Sequence, residues 1–334
     1  MLQARIENGF GIENVQWAKA PSPQAGPGQV LVRMRAASLN FRDLLLATGK
    51  YDPKLPMPRV MGSDGAGEVI GLGEGTKRFR LGDRVAGIFM QGWLAGRYRD
   101  SYASSALGGA IDGVFSQEVV LDEEGLVAIP QHLSFEEAAA LPCAGVTAWN
   151  SLFASGDLRS GETVLVLGSG GVSVFALQLA KAAGARVIAT SSQPEKMEML
   201  KAMGADWVLN YKEVADWGKV IAKAGGVDHV VEVGGAGSLE QSLLAVRGGG
   251  RVSLIGVLSG AAGPINIGRV LHKHVTVQGI YVGSREMFEA MNAAIVQNHI
   301  RPVIDSVYEG AQIQEALRHM ESAGHFGKIV LRLD

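Results

Sequence analysis

Cysteine is almost absent. One residue, Cys143, occurs in 334, so the chain can form no intrachain disulfide and no four-cysteine structural zinc site. An excess of either charge is missing too: 31 Lys and Arg stand against 33 Asp and Glu, for a net charge of −2. That balance offers no basic surface for phosphate backbones, and nucleic acid is not expected as a partner. No uninterrupted apolar run reaches the roughly 18 residues of a bilayer span, so no membrane partner is expected either. The segment from Met1 to Glu7 lacks the apolar stretch and small-residue cleavage site of a signal peptide. The expectation is a soluble, cytoplasmic protein. Charged residues are only 19% of the chain and hydrophobic residues 47%, too little polarity for long disorder and enough apolar material for large cores. At about 150 residues per domain, the length predicts two domains or one inserted in another.

Glycine, by contrast, is plentiful. Its 45 residues stand mostly at the ends of apolar runs, where turns and close backbone approaches are needed. Roughly the first 130 residues read as short strands broken by Gly, Pro and Asp, with alternation clearest from Gln29 to Arg35, which predicts an antiparallel, barrel-like domain. From Thr163 the rhythm becomes apolar strand, turn and amphipathic helix, the pattern of a parallel sheet covered by helices. The expected strands are Thr163 to Leu167, Arg186 to Thr190, Trp207 to Leu209, Val227 to Val233, Arg251 to Val257 and Val275 to Ile280. Six strands suit a doubly wound dinucleotide fold. Beyond Gly283 lie two helical segments, Ser284 to Gln297 and Gln312 to Glu321, and a last apolar run, Lys328 to Leu333, whose packing the composition does not place.

The first of those strands runs into Gly168-Ser-Gly-Gly-Val-Ser173. Val172, Phe175, Ala176, Leu179 and Ala183 then share one helical face, so the glycine turn opens onto a helix N-terminus. Backbone N–H groups and the helix dipole there can bind a pyrophosphate, which marks Gly168, Gly170, Gly171 and Val172 as cofactor contacts. Ser173 replaces the third glycine of the usual fingerprint. About 20 residues further on, a carboxylate would hold the ribose 2′-OH of NAD. Here the chain reads Thr190-Ser-Ser-Gln-Pro-Glu-Lys196, with no acid at the strand tip. Ser191, Ser192 and Lys196 can instead receive a 2′-phosphate, which favours NADP(H) over NAD(H). The competing reading of the same residues is a capping box, Ser192 with Glu195, and a solvated Lys196.

The chain resembles the medium-chain dehydrogenase/reductase superfamily, whose members include zinc alcohol dehydrogenases and zinc-free quinone oxidoreductases. The likeness is carried by Ser38-Leu-Asn-Phe-Arg-Asp43, Gly62-Ser-Asp-Gly-Ala-Gly-Glu-Val69, Gly82-Asp-Arg-Val85, Leu141-Pro-Cys-Ala-Gly-Val-Thr-Ala148, the glycine turn and Gly327-Lys-Ile-Val330. It implies an α/β protein: a GroES-like β-barrel catalytic domain over 1–143, a Rossmann doubly wound parallel-sheet domain binding NADP(H) over 144–283, and a segment, 284–334, that returns to the catalytic domain. Relatives are commonly oligomeric, and a homodimer is expected, with Val275 to Ile280 as a plausible pairing edge.

In the zinc-dependent members the metal ligands stand at the positions of Asn40, Ser63 and Cys143. An amide and a hydroxyl occupy two of these here, and a catalytic zinc generally needs three His, Cys or carboxylate ligands. Asp64 would still leave the set short. His272 and His274, two apart, would share one face of a strand, with no acidic or thiol partner evident. The lobe that carries structural zinc in many relatives corresponds to Gln91 to Asp112, which has no cysteine. No zinc is expected.

Without that Lewis acid, an alkoxide is harder to stabilise, whereas reduction of a quinone or a conjugated carbon–carbon double bond needs only a hydrogen-bond donor at oxygen. Tyr51 matches the tyrosine of zinc-free quinone and enoyl reductases; it donates a proton or serves as pocket wall. Asn40 offers an amide N–H to the substrate or makes a turn. Thr147 resembles the threonine lying against the nicotinamide, or caps a helix. Gly234 and Gly256 would let backbone approach the ribose and nicotinamide, and Lys328 would reach the cofactor. Cys143 reads as a small buried side chain more than a nucleophile. Arg42 either clamps a phosphate or pairs with Asp43 or Asp64, and the loop Trp93 to Tyr102 is solvated or sets substrate preference. The leading expectation is a zinc-independent, NADPH-dependent reductase of quinones or enoyl substrates, with its site in the cleft between domains. The alternatives are an alcohol dehydrogenase and an NADPH-binding protein with little turnover.

Overall fold

The structure, a computed structural model, describes residues 1–333; Asp334, the last residue of the expected returning segment, lies outside the described residues. The chain begins with β1 (Leu2–Ile6), β2 (Val15–Lys19) and β3 (Gln29–Ser38), passes through α1 (Phe41–Ala47), and continues into β4 (Arg59–Val60), β5 (Asp64–Leu72), β6 (Arg84–Gly87), β7 (Glu118–Asp122) and β8 (Leu126–Ala128). Next come α2 (Phe135–Ala139) and α3 (Val146–Trp149), the latter flanked by π-helical turns. A strand–helix alternation then gives β9 (Thr163–Leu167), α4 (Gly171–Ala182), β10 (Arg186–Ser191), α5 (Pro194–Ala202), β11 (Trp207–Asn210), α6 (Trp217–Lys223), β12 (Val227–Glu232), α7 (Leu239–Ala245), β13 (Val246–Leu254), α8 (Ile267–His272) and β14 (Thr276–Gly279). The last elements are α9 (Arg285–Gln297), β15 (Ile304–Glu309), α10 (Ile313–Glu321) and β16 (Lys328–Arg332).

Contacts divide these into two compact units, Met1–Val146 together with the chain from Gly283 onward, and Thr147–Val282. The first is the GroES-like unit. Its larger sheet runs β15-β16-β3-β5-β6-β8 with β7 also on β3, and a smaller sheet runs β2-β1-β4. Val30, Val32 and Met34 of β3 alternate into a core shared with Ile6, Met61 and Phe115, the period-2 burial of a half-covered antiparallel strand. Gly62 carries a φ of +87°, and a Cβ there would lie 2.0 Å from the Phe115 ring. Only glycine allows the backbone to press onto that ring and then enter Ser63 and Asp64.

The second unit is a parallel sheet of order β11-β10-β9-β12-β13-β14, the doubly wound arrangement whose strand order reverses beside β9. Val164, Leu165, Val166 and Leu167 of β9 are all buried, as in a strand covered by helices on both faces.

Several boundaries shift from expectation. Strand β13 begins at Val246 and ends at Leu254, not at Val257, because Ile255 and Gly256 already turn back with their N–H groups on the Glu232 carbonyl. His272 closes α8 and His274 has a φ of 53°, so they do not share a strand face; both are exposed. The returning segment contributes β16, antiparallel to β3, and β15, which the sequence pattern did not reveal because its exposed positions alternate with half-buried ones.

Candidate active site

Within the GroES-like unit, four elements bring polar side chains into one buried cluster. Asn40 is the N-cap of α1, and its backbone N–H donates to Asp43 Oδ2 at 2.7 Å. Its Nδ2 donates to Ser63 Oγ at 3.3 Å, and that hydroxyl donates to Asp64 Oδ1 at 2.8 Å. Asp64 Oδ2 accepts the Cys143 N–H at 3.0 Å. Lys328, at the start of β16, donates through Nζ to Leu39 O at 2.7 Å and to Asn40 Oδ1 at 2.6 Å, with Asp64 at 3.9 Å. Sequence reasoning has Lys328 reach the cofactor; its side chain is 4% exposed and its ammonium is engaged with the Asn40 cluster. Register explains this, since Lys328 lies two residues before Val330, the partner of Ser38 on β3.

Asn40 thus serves the helix start through its backbone while both atoms of its amide are engaged, Nδ2 with Ser63 and Oδ1 with Lys328. Burial raises the Asp43 carboxyl to about 6 against the opposing Arg42 charge and the Asn40 N–H, and Asp43 Oδ1 has no hydrogen-bond partner. Burial raises Asp64 as well, against Lys328, Ser63 and Asn40. Burial, then the Asp64 charge, pushes the Cys143 thiol up to about 12, which leaves it a poor nucleophile.

Tyr51 lies beyond the C-terminal turn of α1, 41% exposed. The Arg42 guanidinium carbon stands 5.2 Å from its ring centroid and 4.6 Å from that of Phe89. The expected pairing of Arg42 with Asp43 or Asp64 is not formed: the oxygens of Asp64 accept from Ser63 and Cys143, while Arg42 Nε and Nη1 have no hydrogen-bond partner among the described residues. In the loop after Trp93, the Trp93 ring is buried and stacks on Tyr102 at 5.9 Å, whereas Arg97 and Arg99 are exposed.

In the dinucleotide unit, Gly168 leaves β9 with a φ of +72°, and Gly170 caps α4. A Cβ at either would meet nothing within 4 Å, and no side chain caps the helix. The first N–H groups of α4 therefore have neither an intrahelical partner nor a side-chain cap. Ser173, in place of the third glycine, is buried with its Oγ donating to Leu167 O at 2.6 Å. Gly168 N–H donates to Thr190 O, which ties the glycine turn to the tip of β10. There Ser191 is buried and its Oγ accepts the Gln193 N–H at 3.4 Å. Gln193, not Ser192, is the N-cap of α5, so the capping-box reading is corrected; Lys196 is 9% exposed and not a solvated surface residue. Thr147 is buried inside a continuous helical stretch and caps nothing.

The sequence reading missed Glu232. It is fully buried, and its Oε1 accepts the N–H groups of Gly234 at 2.8 Å and Gly235 at 3.0 Å and the Ser238 hydroxyl at 2.6 Å, while Oε2 accepts from Ser242. The signal was an acid in an otherwise apolar run, Val230-Val-Glu-Val-Gly-Gly235. Gly234 and Gly256 therefore have structural reasons to lack a side chain: a Cβ would lie 2.1 Å from Ser238 Oγ and 2.3 Å from Val233 O, respectively.

Residues 26–131 match the alcohol dehydrogenase GroES-like domain and residues 171–297 the zinc-binding dehydrogenase family. A zinc-type alcohol dehydrogenase-like protein of Schizosaccharomyces pombe is 45% identical over 317 residues, covering 92% of each chain. The chain belongs to the medium-chain dehydrogenase/reductase superfamily, in its alcohol dehydrogenase-like branch. An acryloyl-coenzyme A reductase of Metallosphaera sedula is 30% identical, covering 97% of each chain. Among solved structures, a putative alcohol dehydrogenase of Sinorhizobium meliloti is 42% identical with a TM-score of 0.91, covering 99% of this chain and 98% of the other. A mycobacterial protein complexed with NADPH is 26% identical with a TM-score of 0.84, covering 99% of each chain. Membership makes the protein an NAD(P)-dependent oxidoreductase. Among the described residues no group of three or more His, Cys, Asp or Glu could hold a metal ion, and no helix is long and apolar enough to cross a membrane.

Proposed function

We propose that this protein is a zinc-independent, NADPH-dependent reductase that delivers hydride to a quinone or to an α,β-unsaturated carbonyl, enoyl thioesters included. The observation that carries this reading is the donor set at Asn40, Ser63 and Cys143. An amide whose oxygen is held by the Lys328 ammonium and a hydroxyl spent on Asp64 leave Cys143 as the one soft ligand of the three, which does not fit a catalytic zinc. Alcohol oxidation would then lack its Lewis acid. The likeness to an acryloyl-coenzyme A reductase supports the conjugated acceptor, and the likeness to an NADPH-bound protein supports the cofactor.

NADPH, when bound, supplies the hydride. The N–H groups of Gly170, Gly171 and Val172 would take its pyrophosphate, while Gly168, whose own N–H is spent on Thr190 O, would give the turn its positive φ beside it. Ser191, Ser192 and Lys196 would take the 2′-phosphate, with no carboxylate at the strand tip to repel it. Gly234, Gly256 and Thr147 would line the ribose and nicotinamide. The charge that would develop on the carbonyl oxygen of the acceptor would be met by the Tyr51 phenol, on a residue 41% exposed, and by Nδ2 of the Asn40 amide, whose bond to Ser63 is at the long end of the range. Lys328, in this account, orients that amide by holding its oxygen and does not bind cofactor.

We read the enzyme as cytoplasmic and homodimeric. Supporting the dimer, β14 is an edge strand with Val277 38% exposed, and nearby Ile267 and Leu271 are 78% and 72% exposed.

A panel of quinones, enones and enoyl thioesters assayed with NADPH and NADH tests the activity; tight NADPH binding without turnover on any of them would instead favour a binding protein. Tyr51→Phe should lower enone turnover by roughly 10²–10⁴-fold, and an unchanged rate would make Tyr51 pocket wall. Elemental analysis finding about one zinc per chain, the outcome expected of an alcohol dehydrogenase, would overturn the metal-free reading.

A further inference from the structure

A guanidinium that is neither paired nor hydrogen-bonded requires an explanation, since buried polar groups are almost always satisfied. Arg42 Nε and Nη1 are buried without any hydrogen-bond partner among the described residues. The group lies against the Phe89 ring at 4.6 Å and the Tyr51 ring at 5.2 Å, and Phe89 is only 1% exposed. A Cβ on Gly109 would come within 2.4 Å of Nη2, so that glycine leaves the room the guanidinium occupies. Its positive charge opposes the burial that raises the Asp43 carboxyl and the Cys143 thiol, so it lies within electrostatic reach of both. The two aromatic rings meet the charge of the guanidinium but not its N–H donors, and Nε and Nη1 are left without a partner.

We propose that Arg42 is an anion-recognition residue of the substrate pocket, and that the preferred substrates carry a carboxylate or comparable anionic oxygen group on the conjugated carbonyl compound. This rests on the reductase reading above and narrows its substrate class. The planar fork of the guanidinium matches a carboxylate bidentately. Aromatic walls at Tyr51 and Phe89 hold the fork in place and cover the apolar part of the ligand. Tyr51 thereby stands beside the anion site and the carbonyl oxygen it addresses.

A matched pair tests this: 4-oxo-2-pentenoate and its methyl ester, reduced with NADPH by the intact enzyme and by Arg42→Met, which keeps an apolar stem between the rings. The variant should raise KM for the acid by about 10–100-fold, the value of a lost charge-assisted contact, and leave the ester within about threefold. Calorimetry with the unreactive 4-oxopentanoate reads the same site without turnover; binding should be seen in the parent and lost in the variant. NADPH affinity, read by fluorescence, should be unchanged. Arg42→Lys keeps the charge without the fork, should weaken 4-oxopentanoate about tenfold, and serves if the methionine variant does not fold. Equal effects on acid and ester, undiminished 4-oxopentanoate binding in either variant, or a loss of NADPH affinity with no change in the acid-to-ester ratio would each overturn the proposal, the last by assigning Arg42 to a cofactor phosphate. Should the parent reduce neither compound, the reductase reading falls, while the 4-oxopentanoate measurement still decides the role of Arg42.

Discussion

The two units treat a buried carboxylate in opposite ways. In the dinucleotide unit, Glu232 accepts from two glycine N–H groups and two serine hydroxyls, so its bonds tie the end of β12 to the loop that follows it and to α7. In the GroES-like unit, Asp43 accepts one backbone N–H, keeps one oxygen without a partner, and is raised to about 6 by burial. Four donors make a carboxylate a structural bolt; one donor leaves it poised to take up a proton. Rigidity is concentrated where a cofactor would be held. Titratable, incompletely satisfied groups gather around Asn40, Arg42 and Tyr51.

The comparison breaks if Glu232 can be removed cheaply. Glu232→Ala strands four donors in a dry interior and should cost at least about 3 kcal/mol in thermal or urea unfolding; a loss below about 1 kcal/mol would show that water replaces them. Glu232→Gln should recover part of that loss, since the amide oxygen still accepts.

Asp43 sharpens the other side. Its folded pKa of about 6 lies above the ordinary 3.8 of an aspartate, so its contribution to stability is fully present below about pH 4 and is lost as pH rises through about 6. Asp43→Asn mimics the protonated form at every pH. Its stability relative to the parent should therefore increase between pH 4 and pH 8, by an amount on the order of 2–3 kcal/mol. A flat difference across that range would mean that Asp43 does not titrate in the native protein.

A smaller effect is expected at the tip of β10. Ser191→Asp should weaken NADPH by about tenfold more than NADH, a differential of about 1.4 kcal/mol. Equal effects on the two cofactors would remove the 2′-phosphate account of this strand end.

Much of the fold was legible because its periodicities are strong. The unbroken apolar run Thr163 to Leu167 and the helical face from Val172 to Ala183 leave little choice but a buried parallel strand and its crossover helix. Strand β15 was not legible, since Ile304, Ser306 and Tyr308 are only half-buried and a weak alternation resembles a loop. Glu232 was read only as one residue of an apolar strand; its partners, Ser238 and Ser242, come from the next helix and its preceding turn. Lys328 was assigned to the cofactor because a lysine near a C-terminus carries no local sign of what lies beside it. Arg42 was expected to pair with a neighbouring acid, yet its ring contacts come from Phe89, 47 positions away.

Local sequence alone determined the strand–helix alternation, the glycine turn on the helix N-terminus, the absence of an acid at the end of β10 and the shortage of soft metal ligands. These depend on residue type and short-range spacing, which backbone geometry converts directly into structure. Tertiary structure alone decided that the Lys328 ammonium reaches the Asn40 amide, that Glu232 bolts the Gly234–Gly235 loop, and that Arg42 stands between Tyr51 and Phe89 with Nε and Nη1 left without a partner. Those arrangements depend on strand register and on contacts between distant segments, and hydrogen-bond partners and electric fields are set by distance in space, not by separation along the chain.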